Sequence, residues 1–137
     1  MNTYVKDIMI NKIITIDSNE TARKACDLYK DKKIGCLIVT KNDRIIGLVT
    51  ERDLIERTIC MDKDPNKTKV EEIMSKNIKT IDKFDRLEKA IEVFKKNKIK
   101  KLPVTLNGEL VGLITLTDIA YSRPSMKEFF QFYFTEK

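Results

Sequence analysis

Adding 65 to a residue number in the first half of this 137-residue chain lands on its counterpart in the second half, with no gap. Val5-Lys6-Asp7-Ile8-Met9 falls on Val70-Glu71-Glu72-Ile73-Met74, and Thr15-Ile16-Asp17 on Thr80-Ile81-Asp82. Ile34 and Leu37 fall on Ile99 and Leu102, and Asn42 on Asn107. Gly47-Leu48-Val49-Thr50 falls on Gly112-Leu113-Ile114-Thr115, and Asp53 on Asp118. Residues 5–54 set against 70–119 give 20 identities in 50 positions, and eight of the other thirty exchange one apolar residue for another. Two copies of one fold tend to pack with pseudo-two-fold symmetry, so any binding feature seen once is sought again 65 residues on.

Each copy reads as a leading segment, a helix, two strands and a second helix. Ala22, Ala25, Cys26 and Tyr29 recur at i, i+3, i+4 and i+7, and Leu87, Ala90, Ile91 and Phe94 repeat that stripe. Asp17 with Glu20, and Asp82 with Asp85, are expected to supply the N-cap oxygen and first-turn acid of these two helices. Cys36 to Thr40 and Ile45 to Val49 read as a hairpin turning at Lys41-Asn42-Asp43; Leu102 to Thr105 and Leu110 to Ile114 read as another, turning at Leu106-Asn107-Gly108. Their nearly continuous apolar runs suit strands covered on both faces. Gly47 and Gly112 interrupt the return strands at equivalent positions, where a missing side chain permits a bulge or the close approach of a ligand or backbone. The polar, proline-bearing stretch 61–68 reads as a linker. The expected organisation is a first repeat over residues 5–60, a linker over 61–69, a second repeat over 70–121 and a tail over 122–137 that holds Phe129, Phe130, Phe132, Tyr133 and Phe134. Such an apolar tail packs on its own domain or on a partner.

Composition narrows the function. The chain has no histidine, which removes the commonest general base and transition-metal ligand, so no catalytic residue and no metal site is expected. Its three cysteines, Cys26, Cys36 and Cys60, make no C-x-x-C pair and read as reduced. The apolar runs are too short to cross a bilayer and no signal peptide is recognisable, so a cytoplasmic protein is expected. The net charge of +6 is spread among 21 acidic residues without forming one dense block, which suits a solvated lysine-rich surface better than a nucleic-acid footprint.

Gly47-Leu48-Val49-Thr50-Glu51-Arg52-Asp53 and Gly112-Leu113-Ile114-Thr115-Leu116-Thr117-Asp118 each place a threonine at a strand-to-helix junction and an aspartate three residues later. One reading is a capping box, threonine at N-cap and carboxylate at N3, which needs no ligand. The other is a nucleotide site, with phosphate at the helix start and ribose hydroxyls on the carboxylate. The residues alone leave both open.

The tandem unit, with its Val-x-(Asp/Glu)-Ile-Met lead, its Thr-Ile-Asp before the first helix and its closing Gly-apolar-apolar-Thr-x-x-Asp, resembles a pair of cystathionine β-synthase (CBS) domains over residues 5–121, the arrangement called a Bateman module. The resemblance implies an α/β fold of two β-α-β-β-α repeats packed with pseudo-two-fold symmetry, leaving clefts that take adenosine-containing ligands: AMP, ADP, ATP or S-adenosylmethionine. It implies one cleft combining Thr15, Ile34 and Gly35 with Lys100, Lys101, Thr115, Thr117 and Asp118, and another combining Thr80 and Ile99 with Cys36, Thr50, Arg52 and Asp53. In such modules the motif aspartate holds ribose and the threonine contacts ribose or phosphate. Lys100-Lys101 favours the Asp118 cleft for an anion, whereas Gly35-Cys36 leaves only Arg52 to neutralise phosphate near Asp53. The expected function is a stand-alone regulatory module, needing no cofactor, that signals its adenine nucleotide to a partner protein and forms a homodimer. The alternative is a nucleic-acid or protein interaction module with empty clefts.

Overall fold

A computed structural model describes residues 2–123. The aromatic tail foreseen beyond this point lies outside the described residues. The elements in chain order are α1 (Val5–Ile8), β1 (Thr15–Asp17), α2 (Ala22–Asp31), β2 (Leu37–Lys41), β3 (Arg44–Val49), α3 (Glu51–Leu54) continuing as a π-helical stretch (Ile55–Ile59), α4 (Val70–Ile73), β4 (Ile81–Asp82), α5 (Leu87–Asn97), β5 (Lys101–Leu106), β6 (Glu109–Thr115) and α6 (Leu116–Ser122). They form two units. Ile13–Ile78 make a central unit, and the residues up to Lys12 join those from Lys79 onward in a flanking unit.

Each unit holds one three-stranded sheet, ordered β1-β2-β3 in the central unit and β4-β5-β6 in the flanking one, its first pair parallel and its second antiparallel. The hairpin turns are the expected ones. Asn42 and Asp43 both have positive φ (52° and 63°), as do Asn107 and Gly108 (52° and 82°), the signature of a two-residue turn whose twist matches the strands. The helical stripes also face inward. Leu87, Ala90 and Phe94 of α5 are buried against Leu102, Val104 and Ile114, while Ala22 and Ala25 of α2 are buried with Leu37, Val39 and Val49.

The capping differs from the expectation. Asp17 and Asp82 accept hydrogen bonds from the backbone N–H groups of Asn19 (2.9 Å) and Phe84 (2.8 Å), closing turns ahead of the helices. The N-cap of α2 is Thr21, whose hydroxyl accepts from Lys24 N–H (3.1 Å), and that of α5 is Arg86, whose side chain makes no capping bond. Asp17 lies four residues ahead of Thr21, too far along the chain to cap α2, and its carboxylate is spent on its own turn.

The leading helices are exchanged between the repeats. In the central unit α4, which opens the second repeat, docks on the first repeat: Val70 N–H donates to Glu20 O (2.8 Å), Glu71 N–H to Ser18 O (3.2 Å), and Ala22 N–H to Thr68 O (2.8 Å). The flanking unit makes the same bonds 65 residues displaced, with Val5 N–H to Asp85 O (2.9 Å), Lys6 N–H to Lys83 O (3.0 Å) and Leu87 N–H to Thr3 O (2.9 Å). Past each helix the chain runs along a sheet edge. Ser75 and Leu48 exchange both backbone hydrogen bonds (2.8 and 3.1 Å), as do Ile10 and Leu113 (2.8 and 3.0 Å), covering the outer edge of β3 and of β6.

The two strand glycines follow from this. A Cβ on Gly47 would overlap Met74 Sδ and stand 2.8 Å from Ser75 O; one on Gly112 would stand 2.8 Å from Met9 Sδ and 2.9 Å from Ile10 O. Both foreseen reasons for them hold: a backbone approaches closely, and the strand register shifts beside each glycine, between Val39 and Thr40 and between Val104 and Thr105.

Candidate functional site

In each unit the parallel first pair and the antiparallel second pair bring the start of the first strand, the start of the second and the end of the third to one end of the sheet. In the central unit Thr15 pairs with Ile38 and Leu37 with Val49, so Thr15, Cys36 and Thr50 come to that end. Ile34 and Gly35 lead into β2 there, and α3 starts there with Arg52 and Asp53. In the flanking unit Ile81 pairs with Val104 and Lys101 with Thr115, and Leu116 N–H donates to Lys100 O (3.0 Å). Thr80, Ile99, Lys100, Lys101, Thr115, Thr117 and Asp118 thus share the equivalent end. The fourteen residues singled out from the sequence fall into two sets of seven, one set per unit.

Both aspartates sit in capping boxes. Asp53 N–H donates to Thr50 Oγ1 (3.3 Å) while Asp53 Oδ2 accepts from Thr50 N–H (2.9 Å). Asp118 N–H donates to Thr115 Oγ1 (3.1 Å), and Asp118 Oδ2 accepts from both Thr115 N–H (3.2 Å) and Thr115 Oγ1–H (2.8 Å). The box fixes each carboxylate relative to the sheet end without a ligand, and uses one oxygen of each. In Asp118 all of this falls on Oδ2, which leaves the Oδ1 lone pairs outside the box.

The outer oxygen is where the sites part. Asp53 Oδ1 stands 3.8 Å from Arg57 Nε, and Asp53 is 8% exposed. Arg57 also donates from Nη1 to Ile73 O (3.1 Å) and Met74 O (3.0 Å), the C-terminal carbonyls of α4. The cation that the sequence suggested for this site, Arg52, is exposed and donates from Nε to Glu56 (2.7 Å), a bond that raises the guanidinium pKa further above its ordinary value. Sequence reasoning missed Arg57. The i, i+4 spacing from Asp53 was the available signal, but it does not tell which carbonyls the far side of the guanidinium meets. The equivalent flanking position is Ser122, whose hydroxyl donates to Asp118 O (3.0 Å) and Ile119 O (3.1 Å) and so satisfies its own helix.

A second asymmetry lies beneath the sheet end. Tyr29 Oη donates to Val49 O (2.6 Å), pinning the residue before Thr50 to α2, and desolvation by burial is the main cause that pushes its phenol well above the ordinary value of 10.0. Phe94 holds the equivalent position, fully buried and without a hydroxyl. The Cys26 thiol is also pushed up, chiefly by desolvation and then by Asp27. Among the described residues no cluster of three or more His, Cys, Asp or Glu side chains could hold a metal ion, and no helix is long and apolar enough to cross a membrane.

Comparison with known proteins agrees with this architecture. The model of the CBS domain family matches residues 5–59 and again 70–124. CBS domain-containing protein YhcV of Bacillus subtilis is 31% identical over 121 residues, which span 88% of this chain and 86% of that one. A crystal structure from Burkholderia ambifaria, described as a candidate signal-transduction protein with CBS domains, superposes with a TM-score of 0.76 at 30% identity, covering 84% of this chain and 85% of that one. The CBS domain pair of protein MJ0100, solved with 5-methylthioadenosine and S-adenosyl-L-methionine, shares the fold with a TM-score of 0.80 at 24% identity, over 91% of this chain and 98% of that one. With both repeats matched by the family model, the chain belongs to the CBS domain family and carries two of its domains in tandem.

Proposed function

We propose that this CBS pair is a regulatory module that binds an adenosine-containing ligand, AMP, ADP, ATP or S-adenosylmethionine, and presents the bound state to a partner protein. The observation that carries this reading is the pair of equivalent sheet ends, each with a carboxylate oriented by a threonine capping box. A carboxylate held this way accepts hydrogen bonds from the vicinal hydroxyls of ribose. The likeness to MJ0100, solved with two adenosine derivatives, makes the adenosine class the natural choice. Asp118 offers the better site, because Asp53 Oδ1 already faces Arg57, while Lys100 and Lys101 stand at the Asp118 sheet end. Thr115 and Thr117 accompany Asp118, as Cys36, Thr50 and Arg52 accompany Asp53, and Thr15, Ile34, Gly35, Thr80 and Ile99 remain the further candidates. For regulation the ligand must favour one arrangement of the protein over another, since equal affinity for both shifts nothing. The module acts as a homodimer in the cytoplasm and performs no chemistry on its ligand.

The test is a thermal-shift panel of AMP, ADP, ATP, S-adenosylmethionine and NADH. A ligand at 100 times its Kd adds about 2.7 kcal/mol, several degrees in a domain of this size. No shift from any adenosine compound would sink the reading. A second reading, a nucleic-acid interaction module, draws on exposed Phe84, whose ring has Lys6 Nζ at 5.2 Å and Lys83 Nζ at 5.1 Å. Salt-sensitive binding of single-stranded oligonucleotides, lost in Phe84→Ala, would select it.

A further inference from the structure

Arg57 does two things at once beside the central motif aspartate. Its Nε faces Asp53 Oδ1 at 3.8 Å, and its Nη1 holds the carbonyls of Ile73 (3.1 Å) and Met74 (3.0 Å) at the C-terminal end of α4. That end is held otherwise by the paired backbone of Leu48 and Ser75, and by Met74 lying over Gly47. A four-residue helix such as α4 has little stability of its own and depends on what it docks against. The guanidinium is half-exposed, so a ligand can reach it.

We infer that Arg57 is a latch: it ties the end of α4 to the Asp53 carboxylate, and a phosphate-bearing ligand at Asp53 releases it. The inference rests on the function proposed above and adds the charge of the ligand to which the central site responds. A guanidinium has a fixed fork of donors and prefers a phosphate, which it can meet bidentately, to two neutral carbonyls. When the ribose hydroxyls occupy Asp53 and the phosphate draws Arg57 away, Ile73 O and Met74 O lose their donor and the edge pairing at Ser75 weakens. A ligand without a phosphate leaves Arg57 in place. The flanking unit has Ser122 at the equivalent position, bonded to its own helix, so the arginine latch belongs to the central site.

Amide hydrogen exchange reads the latch directly. Without ligand, Arg57→Gln is expected to speed exchange at Leu48 and Ser75 about tenfold, the cost of a charge-assisted bond, and Arg57→Lys by less. The Ala25 amide in α2, bonded to Thr21 O, is the internal control and stays at its wild-type rate. In the wild type, saturating AMP reproduces the Arg57→Gln pattern, whereas adenosine does not. Unchanged exchange at Leu48 and Ser75 in both variants, or equal acceleration at Ala25 in both, overturns the latch. AMP binding by calorimetry with no change at these amides overturns its opening by phosphate. Failure of AMP to bind at all also ends that opening and counts against the function proposed above, but leaves the ligand-free contrast between Arg57→Gln and wild type standing, so the two failures are told apart.

Discussion

Asp53 and Asp118 occupy the same place in two copies of one scaffold, with a threonine capping each, and yet several residues around them differ. Behind Asp53 stands Arg57, below it the Tyr29 hydroxyl, and across the sheet end Gly35 and Cys36; behind Asp118 stands Ser122, below it Phe94, and across the sheet end Lys100 and Lys101. Positions that make the box, the hairpin turn and the strand glycine are retained because each performs a backbone task that few residues can do. Positions that only line the sheet end are free to diverge, and they set the charge that a ligand meets. The central site carries its cation on the helix, tied to α4; the flanking site carries its cations on the incoming strand.

The sharpest break of this comparison is Phe94→Ala. The side chain fills the middle of the flanking core, so its removal should cost about 3–5 kcal/mol and melt the β4-β5-β6 unit before the central one, seen as two steps by amide exchange. A single cooperative transition would show that the units do not fold as separate cores. Next comes the ligand: if a 100-fold excess over Kd adds about 2.7 kcal/mol, Asp118→Asn should remove most of that gain and Asp53→Asn less, by calorimetry or thermal shift. Asparagine keeps a cap-competent oxygen, so loss of binding without loss of fold is the informative result. Equal losses would cancel the ranking of the two sites.

The glycines make a smaller contrast. Gly47→Ala should destabilise by about 1–3 kcal/mol, and by more than Gly112→Ala, because its added methyl stands closer to the methionine behind it (2.9 Å from Met74 Cγ against 3.3 Å from Met9 Cγ). Urea unfolding of the pair measures this, and the reverse order would refute the edge packing described here. Smallest is Tyr29→Phe, which makes the central unit resemble the flanking one at a cost of about 1 kcal/mol. It carries a pH signature. Burial raises the folded phenol pKa above 10.0, so the unfolded chain releases this proton first; the stabilisation is whole below pH 10 and is lost as pH rises beyond it. The wild type should therefore lose more stability than Tyr29→Phe above pH 10, and parallel curves would contradict the buried hydrogen bond.

Much of the fold could be read before any coordinates. The stripe Leu87, Ala90, Ile91 and Phe94, the Asn107-Gly108 turn and the two capping boxes are encoded by residues a few positions apart, so spacing is enough to find them. The helix starts were misplaced because Asp17 and Asp82 serve equally well as turn or cap residues, and the choice depends on where the following backbone goes. The candidate residues at both sheet ends were also visible. Arg57 was not, because its partners Ile73 and Met74 are backbone carbonyls, which every residue type carries alike.

The sequence by itself determined that there are two copies of one α/β unit, where their strands turn, and which threonine and aspartate sit at each strand-to-helix junction. Only the tertiary structure decided that the leading helices trade places, so that the chain just past α4 closes the sheet edge of the first repeat and the chain just past α1 that of the second. The physical reason is that Val5, Ile8 and Met9 are matched almost atom for atom by Val70, Ile73 and Met74. Either segment presents the same apolar surface and the same backbone donors to either edge, so no local pattern distinguishes the two dockings and the choice falls to the connections between them.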